Sequence, residues 1–172
     1  MRNGKQHYYL RVNPVENDGM ITSIEDVFDH EPTQEDKDAL YATGLAMAKR
    51  VKVSEIGHYD KSEHVNVFEF GGQSAWLDKA TRVGLVNSLN VEKASDHETT
   101  TLYLNGVPMT LPVDAALAML SQLELYAIDC YRTTEAHKAA VQAMSVIEDV
   151  ENFDVTADYP EHPVFTLTYA EE

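Results

Sequence analysis

The first apolar-rich run, Tyr8-Tyr9-Leu10-Arg11-Val12, reads as a short strand, punctuated by Asn13-Pro14 and then by Asn17-Asp18-Gly19. Between Met20 and Phe28, the apolar Ile21, Ile24, Val27 and Phe28 mix with acidic residues. Their spacing fits one or two helical turns or an irregular edge segment, and both readings stay open. A helix is expected to begin near Thr33. Thr33 and Asp36 have the layout of a capping box, and Glu35, Asp36 and Asp38 suit the positive helix end. Leu40, Gly44 and Met47 share one side, with Tyr41, Leu45 and Ala48 beside them, while Lys49 and Arg50 suit the negative end.

Two strands are expected next, Val51 to Ile56 and Val65 to Phe70, joined by a polar turn at Asp60, Lys61 and Ser62. In the second of them Asn66, Phe68 and Phe70 share a face that should pack on the core. Gly71-Gly72 ends it and permits positive φ. Ser74 is the expected cap of a second helix running to about Lys93, with Trp76, Ala80, Val83 and Val86 along one face and Leu77 and Leu89 flanking it. Asp78 and Arg82 form an i, i+4 acid-to-base pair of roughly 0.2–0.5 kcal/mol on its exposed flank.

Thr99 to Leu104 and Val107 to Leu111, joined by Asn105-Gly106, predict a β-hairpin with a type I′ turn. Pro108 removes a donor and marks its strand as an edge. Pro112 then opens a long helix carrying Leu117, Leu120, Leu123 and Leu125. At Thr133-Thr134 that helix breaks, restarts or continues bent, and the helical pattern reaches Ile147. Val164, Thr166 and Thr168 alternate with Phe165, Leu167 and Tyr169 in a final strand. The expected fold is α+β, a helical core with short antiparallel strands and a β-hairpin. Residues 1–64 are read as an N-terminal extension or small α/β element, and 65–172 as the main α+β domain.

Composition narrows the function classes. The 172 residues carry a formal net charge of −16, and 44% are hydrophobic, enough for a packed core. The acidic surface repels phosphate, so neither a nucleic-acid groove nor an anionic membrane is an expected partner. No apolar run is long enough to span a bilayer, and Met1-Arg2-Asn3-Gly4-Lys5-Gln6-His7 is followed by no apolar stretch, unlike a secretory signal. The single cysteine, Cys130, can form no internal disulfide, which suits a reducing, cytoplasmic setting.

Candidate chemistry is sparse. Gly71-Gly72-Gln73-Ser74 has neither the spacing of a dinucleotide loop nor a following Lys-Ser/Thr, and no GxSxG motif occurs. Cys130 lies late in an apolar helix and reads as a buried structural thiol, with Arg132 and His137 close in sequence but not arranged to activate it. His58 and His64 flank a turn, with Glu55, Asp60 and Glu63 nearby, and are the one place where a transition metal could be imagined. His7, His30, His97, His137 and His162 are scattered. The acids from Asp26 to Asp38 lack the ligand alternation and glycine of an EF-hand. No catalytic residue, cofactor site or metal site is assigned.

A set of segments carries a family resemblance: Val65-Asn66-Val67-Phe68-Glu69-Phe70-Gly71-Gly72, Trp76-Leu77-Asp78-Lys79-Ala80-Thr81-Arg82, the Asn105-Gly106 hairpin leading to Leu111-Pro112-Val113-Asp114-Ala115-Ala116, His137-Lys138-Ala139-Ala140, and Phe153-Asp154-Val155-Thr156-Ala157-Asp158-Tyr159-Pro160. In this order, over residues 65–165, the chain resembles the DUF4376 family, a domain of unknown function found in bacteria and phages. The resemblance implies a phage or prophage-associated protein, a virion or tail-region component or assembly factor, and carries over no catalytic residue. The functional expectation is a non-enzymatic structural or interaction protein that binds a protein partner or itself. Trp76 and Tyr103 are the candidate interface anchors, with carboxylates at the rim. Trp76 is expected on the Leu117, Leu120 and Leu123 region or against a sister chain. The alternative is a small metal-assisted hydrolase using the His58/His64 region.

Overall fold

The computed structural model describes residues 6–17 and 20–166. The fold is α+β, with long helices at its core and short, mainly antiparallel strands. Contacts divide the chain into two compact units, residues 1–56 with 137–155 and residues 57–136 with 156–172.

In the first unit β1 (Tyr8–Asn17) and β2 (Met20–Phe28) form an antiparallel ribbon, running in register from Tyr8 opposite Phe28 to Asn17 opposite Met20. The segment from Met20 is therefore a strand. Its pairing with β1 decides between two periods that its own side chains fit equally. The register shifts between Val12 and Val15, where Pro14 has no N–H to give the ladder. Arg11 Nη2 meets Glu25 Oε1 at 2.6 Å across the ribbon.

The first helix, α1 (Gln34–Asp60), begins at the expected capping box. The Asp36 carboxylate accepts from the Thr33 N–H at 2.8 Å and hydroxyl at 2.6 Å, and Thr33 Oγ1 accepts from the Asp36 N–H at 3.2 Å. His30 lies beside this cap, its Nε2 3.1 Å from Asp36 Oδ2 and its Nδ1 3.2 Å from Asp29 Oδ1. Hydrogen bonds to Asp29 and Asp36 push the imidazole above its ordinary 6.5. Hydrogen bonds from Thr33 hold the Asp36 carboxyl down at about 2. The raised imidazole contributes stability below pH 6.5 that disappears as pH rises through its folded value. The lowered carboxyl contributes stability above pH 3.8 that disappears as pH falls towards 2. An NMR titration should find His30 titrating above 6.5, and Asp36→Asn should return it towards that value. A wild-type midpoint at or below 6.5 would contradict the geometry.

The expected strand from Val51 to Ile56 is instead the continuation of α1. Its β-branched residues favour a strand locally, but tertiary packing overrides that preference. Leu45, Ala48, Val53 and Ile56 recur at helical spacing and pack together with Val141, Val150 and Phe153. Gly44 is buried where β2 comes close to α1. A Cβ there would overlap Ile24 Cδ1, with Ile147 Cδ1 also in reach, so glycine provides the recess for Ile24. The unit also holds the end of α3 (Val113–Ala143) and the short α4 (Ile147–Glu151). Lys49 Nζ donates to the Gln142 carbonyl at 2.6 Å, so this cation serves the C-terminal end of α3 rather than that of its own helix.

The second unit starts at the last turn of α1. Only part of the expected 65–70 strand is extended, as β3 (Phe68–Phe70). Asn66 Nδ2 instead donates to the Asp60 carbonyl at 2.7 Å and closes the preceding turn. β3 pairs antiparallel with β4 (Gln73–Ala75) through Gly71 and Gly72, at φ +57° and +79°. It pairs parallel with β7 (Val164–Phe165), giving the order β4-β3-β7. Thr166 of the expected last strand is not extended with them, and Leu167 to Tyr169 lie outside the described residues. Ser74 is a strand residue here, not a helix cap. The second helix, α2 (Lys79–Ala94), is capped by Asp78, which accepts from the Thr81 N–H at 2.7 Å. This bond holds the Asp78 carboxyl below its usual value.

β5 (Thr99–Leu104) and β6 (Val107–Pro112) form the expected hairpin, with Asn105 and Gly106 at φ +50° and +81°. Thr100, Leu102 and Leu104 face the core. α3 follows at Val113 and runs unbroken through Thr133-Thr134. The Thr134 side chain is buried, and its hydroxyl donates to Asp60 Oδ1 at 2.8 Å and lies 2.7 Å from the Tyr159 hydroxyl. These bonds give the threonine its polar partners without cutting the helix. Phe68, Leu89, Leu120 and Leu123 are fully buried at the centre of the unit.

Candidate interaction surface

The polar centre of the second unit is Arg82, with 5% of its surface exposed. The first turns of α2 carry it inward, not outward as the Asp78 pairing supposes. Its Nε donates to Glu124 Oε2 of α3 at 2.8 Å, and its Nη1 to the Leu77 carbonyl at 2.7 Å. The guanidinium lies over the Trp76 ring, 5.3 Å from its centroid. Trp76 in turn meets Tyr126 edge-on at 6.3 Å. The tryptophan is half-buried against the core cluster that contains Leu120 and Leu123. Tyr126 is buried, and its hydroxyl donates to the Val65 carbonyl at 2.7 Å. Burial raises its pKa.

On one side of Arg82 an open groove of about 500 Å³ runs between α2 and α3. Val83 and Val86 line it from α2, and Leu120, Ser121 and Leu125 from α3, with Glu124 at the charged wall. Val83 is 50% exposed and Leu125 63%. On the other side a smaller pocket of about 280 Å³ is bounded by Trp76, Lys61, Lys79, Cys130 and Tyr131. Arg82 thus forms a wall common to both.

The residues singled out from sequence are separate features. Tyr103 is 69% exposed on the outer face of β5, opposite Pro108. The tip of that hairpin is tied to β4, because Asn105 Nδ2 donates to the Ser74 carbonyl at 2.8 Å. His64 stacks on Tyr59 at 5.9 Å, and its carbonyl accepts from His162 Nε2 at 2.8 Å. His58 occupies the last turn of α1. Among the described residues no group of three or more His, Cys, Asp or Glu converges as metal ligands. Cys130 is buried, and desolvation pushes its thiol up, away from thiolate. Among the described residues no helix is long and apolar enough to cross a membrane.

The exposed seam of Val83 and Leu125 escapes a reading by periodicity alone. Leu125 sits among Leu117, Leu120 and Leu123 in a helix that is apolar over a broad arc, so its outward direction is hidden by its neighbours. No family model, no curated protein and no solved structure matches the chain.

Proposed function

We propose that the protein is a non-enzymatic interaction protein that docks another protein surface on the α2–α3 face of its second unit. The observation that carries this is the groove itself. Exposed Val83 and Leu125 flank a wall formed by the bonded pair Arg82 and Glu124. Exposed apolar side chains beside the charged Glu124 have the character of an interface centre with a polar rim. The DUF4376 resemblance extends the reading to a phage or prophage-associated role in virion or tail assembly, in which such a surface would join components.

A wild-type bait and a Leu125→Glu bait, each expressed during phage infection or prophage induction, provide the test. A partner retained by the first should be purified and titrated by calorimetry. Leu125→Glu should weaken its binding by at least about tenfold, and the difference should persist at high salt, because the anchor is apolar. Catalytic turnover that tracks an intact site, with no association at any concentration, would refute the proposal.

A further inference from the structure

We propose that the pocket of about 280 Å³ beside Trp76 binds a free α-amino acid with an apolar side chain. The site is separate from the α2–α3 groove, and the proposal goes beyond the interface reading without resting on it.

Two Asp-Lys dipeptides line this one cavity. Asp60 is the last residue of α1 and Lys61 follows it, while Asp78 caps α2 and Lys79 is its first residue. Both acids are held in place from within the chain. The Thr134 hydroxyl donates to Asp60 Oδ1 at 2.8 Å, and the Thr81 N–H to Asp78 Oδ1 at 2.7 Å. An ionised carboxylate has about four acceptor sites, so each aspartate keeps capacity for an incoming ammonium group. Lys61 and Lys79 are exposed and belong to none of the ion pairs among the described residues. Arg82 also borders the cavity, but its guanidinium is committed to Glu124 and the Leu77 carbonyl, so it serves as wall rather than as a charge for a ligand.

The four dipeptide charges cancel, and the charge of the whole chain selects the ligand that suits them. A small anion would approach against a net charge of −16. A small cation would find carboxylates over the whole surface and no reason to choose this place. A zwitterion meets neither obstacle. Its carboxylate and its ammonium are satisfied together only where uncommitted amines and anchored acids stand in one cavity.

The remaining lining sets the body of the ligand. Half-buried Trp76 and Tyr131, which is 64% exposed, give the cavity aromatic sides. They favour a flat or branched apolar side chain between the two charged ends. The volume lies just under the ~300 Å³ at which ordinary ligand pockets begin, which suits one amino acid and not a peptide.

Calorimetry of the full chain with L-phenylalanine should give a single saturable site, with a dissociation constant below about 1 mM. Trp76 is the only tryptophan in the chain, and its emission should shift to the blue as the ligand displaces water. Lys79→Gln, at an exposed position, should weaken binding at least about tenfold with an unchanged circular dichroism spectrum. N-acetyl-L-phenylalanine and L-phenylalaninamide each keep one of the two charges, and each should bind at least about tenfold more weakly than the zwitterion. Leu125→Glu should bind L-phenylalanine as the wild type does, which separates this site from the groove. No saturable binding of L-phenylalanine or L-leucine up to about 10 mM would overturn the proposal. An N-acetyl derivative that binds as tightly as the free amino acid, an indifferent Lys79→Gln, or a folded Leu125→Glu chain that no longer binds would each do the same.

Discussion

Phe68→Ala is expected to cost about 3–5 kcal/mol of unfolding free energy, the largest loss from any single truncation in the second unit. The side chain is fully buried on β3, the central strand of the three-stranded sheet, and meets Phe165 edge-on at 5.7 Å. Truncation removes the transfer free energy of a benzyl group and leaves a cavity lined by a sheet and a helical core that cannot both close in. It also removes the aromatic contact that helps hold β7 on β3, where, among the described residues, Glu69–Val164 and Phe70–Phe165 pair. Denaturant titration followed by Trp76 fluorescence measures the loss. A cost under about 1 kcal/mol would mean that the site collapses freely, against the dense packing expected of a core. Tyr103→Ala on the exposed hairpin face should, by contrast, change stability within about 0.5 kcal/mol.

Features with local causes were legible in the sequence. The Thr33/Asp36 capping box, the positive-φ Asn105-Gly106 turn and the helix opening after Pro112 each depend on residues within one turn of one another. Features decided at long range were not. Val51 and Val53 favour a strand by propensity, but their segment is helical, and Val53 and Ile56 pack on Val141 and Val150, far along the chain. Ser74 satisfies a cap pattern, but the Gly71-Gly72 turn folds it back onto β3 and leaves capping to Asp78.

The same division applies to the surface. Trp76 packs against the core cluster that contains Leu120 and Leu123, the region its setting in the sequence points to. Arg82 was misplaced on an exposed flank because the nearest acid in sequence is Asp78. Its actual partner, Glu124, lies 42 residues away. One signal for the pairing of α2 with α3 was present in the sequence. α2 gathers three cations in a strongly acidic chain, and α3 carries a matching excess of acids. Charge contrast between two neighbouring helices is informative when apolar periodicity is saturated, as it is around Leu125.

Arg82→Ala is the second large expected effect, about 2–4 kcal/mol. Three contacts are lost together: the 2.8 Å bond to Glu124, the 2.7 Å bond to the Leu77 carbonyl and the cover over Trp76. The side chain of Glu124 is 38% exposed and can rehydrate, which keeps the cost below that of stranding a fully buried charge. Leu77 is buried, so its carbonyl loses a donor that water does not readily replace. Arg82→Lys should recover only part of the loss, because an ammonium cannot reach Glu124 and the Leu77 carbonyl in the fixed geometry of a guanidinium while covering the indole. Trp76 emission should shift to the red in Arg82→Ala as the ring gains water. An Arg82→Ala/Glu124→Ala cycle should give a coupling of about 1.5–3 kcal/mol, the range for hydrogen bonds to charged groups. Additivity within about 0.5 kcal/mol, with unchanged emission, would mean that the pair neither anchors α2 to α3 nor stiffens the groove wall.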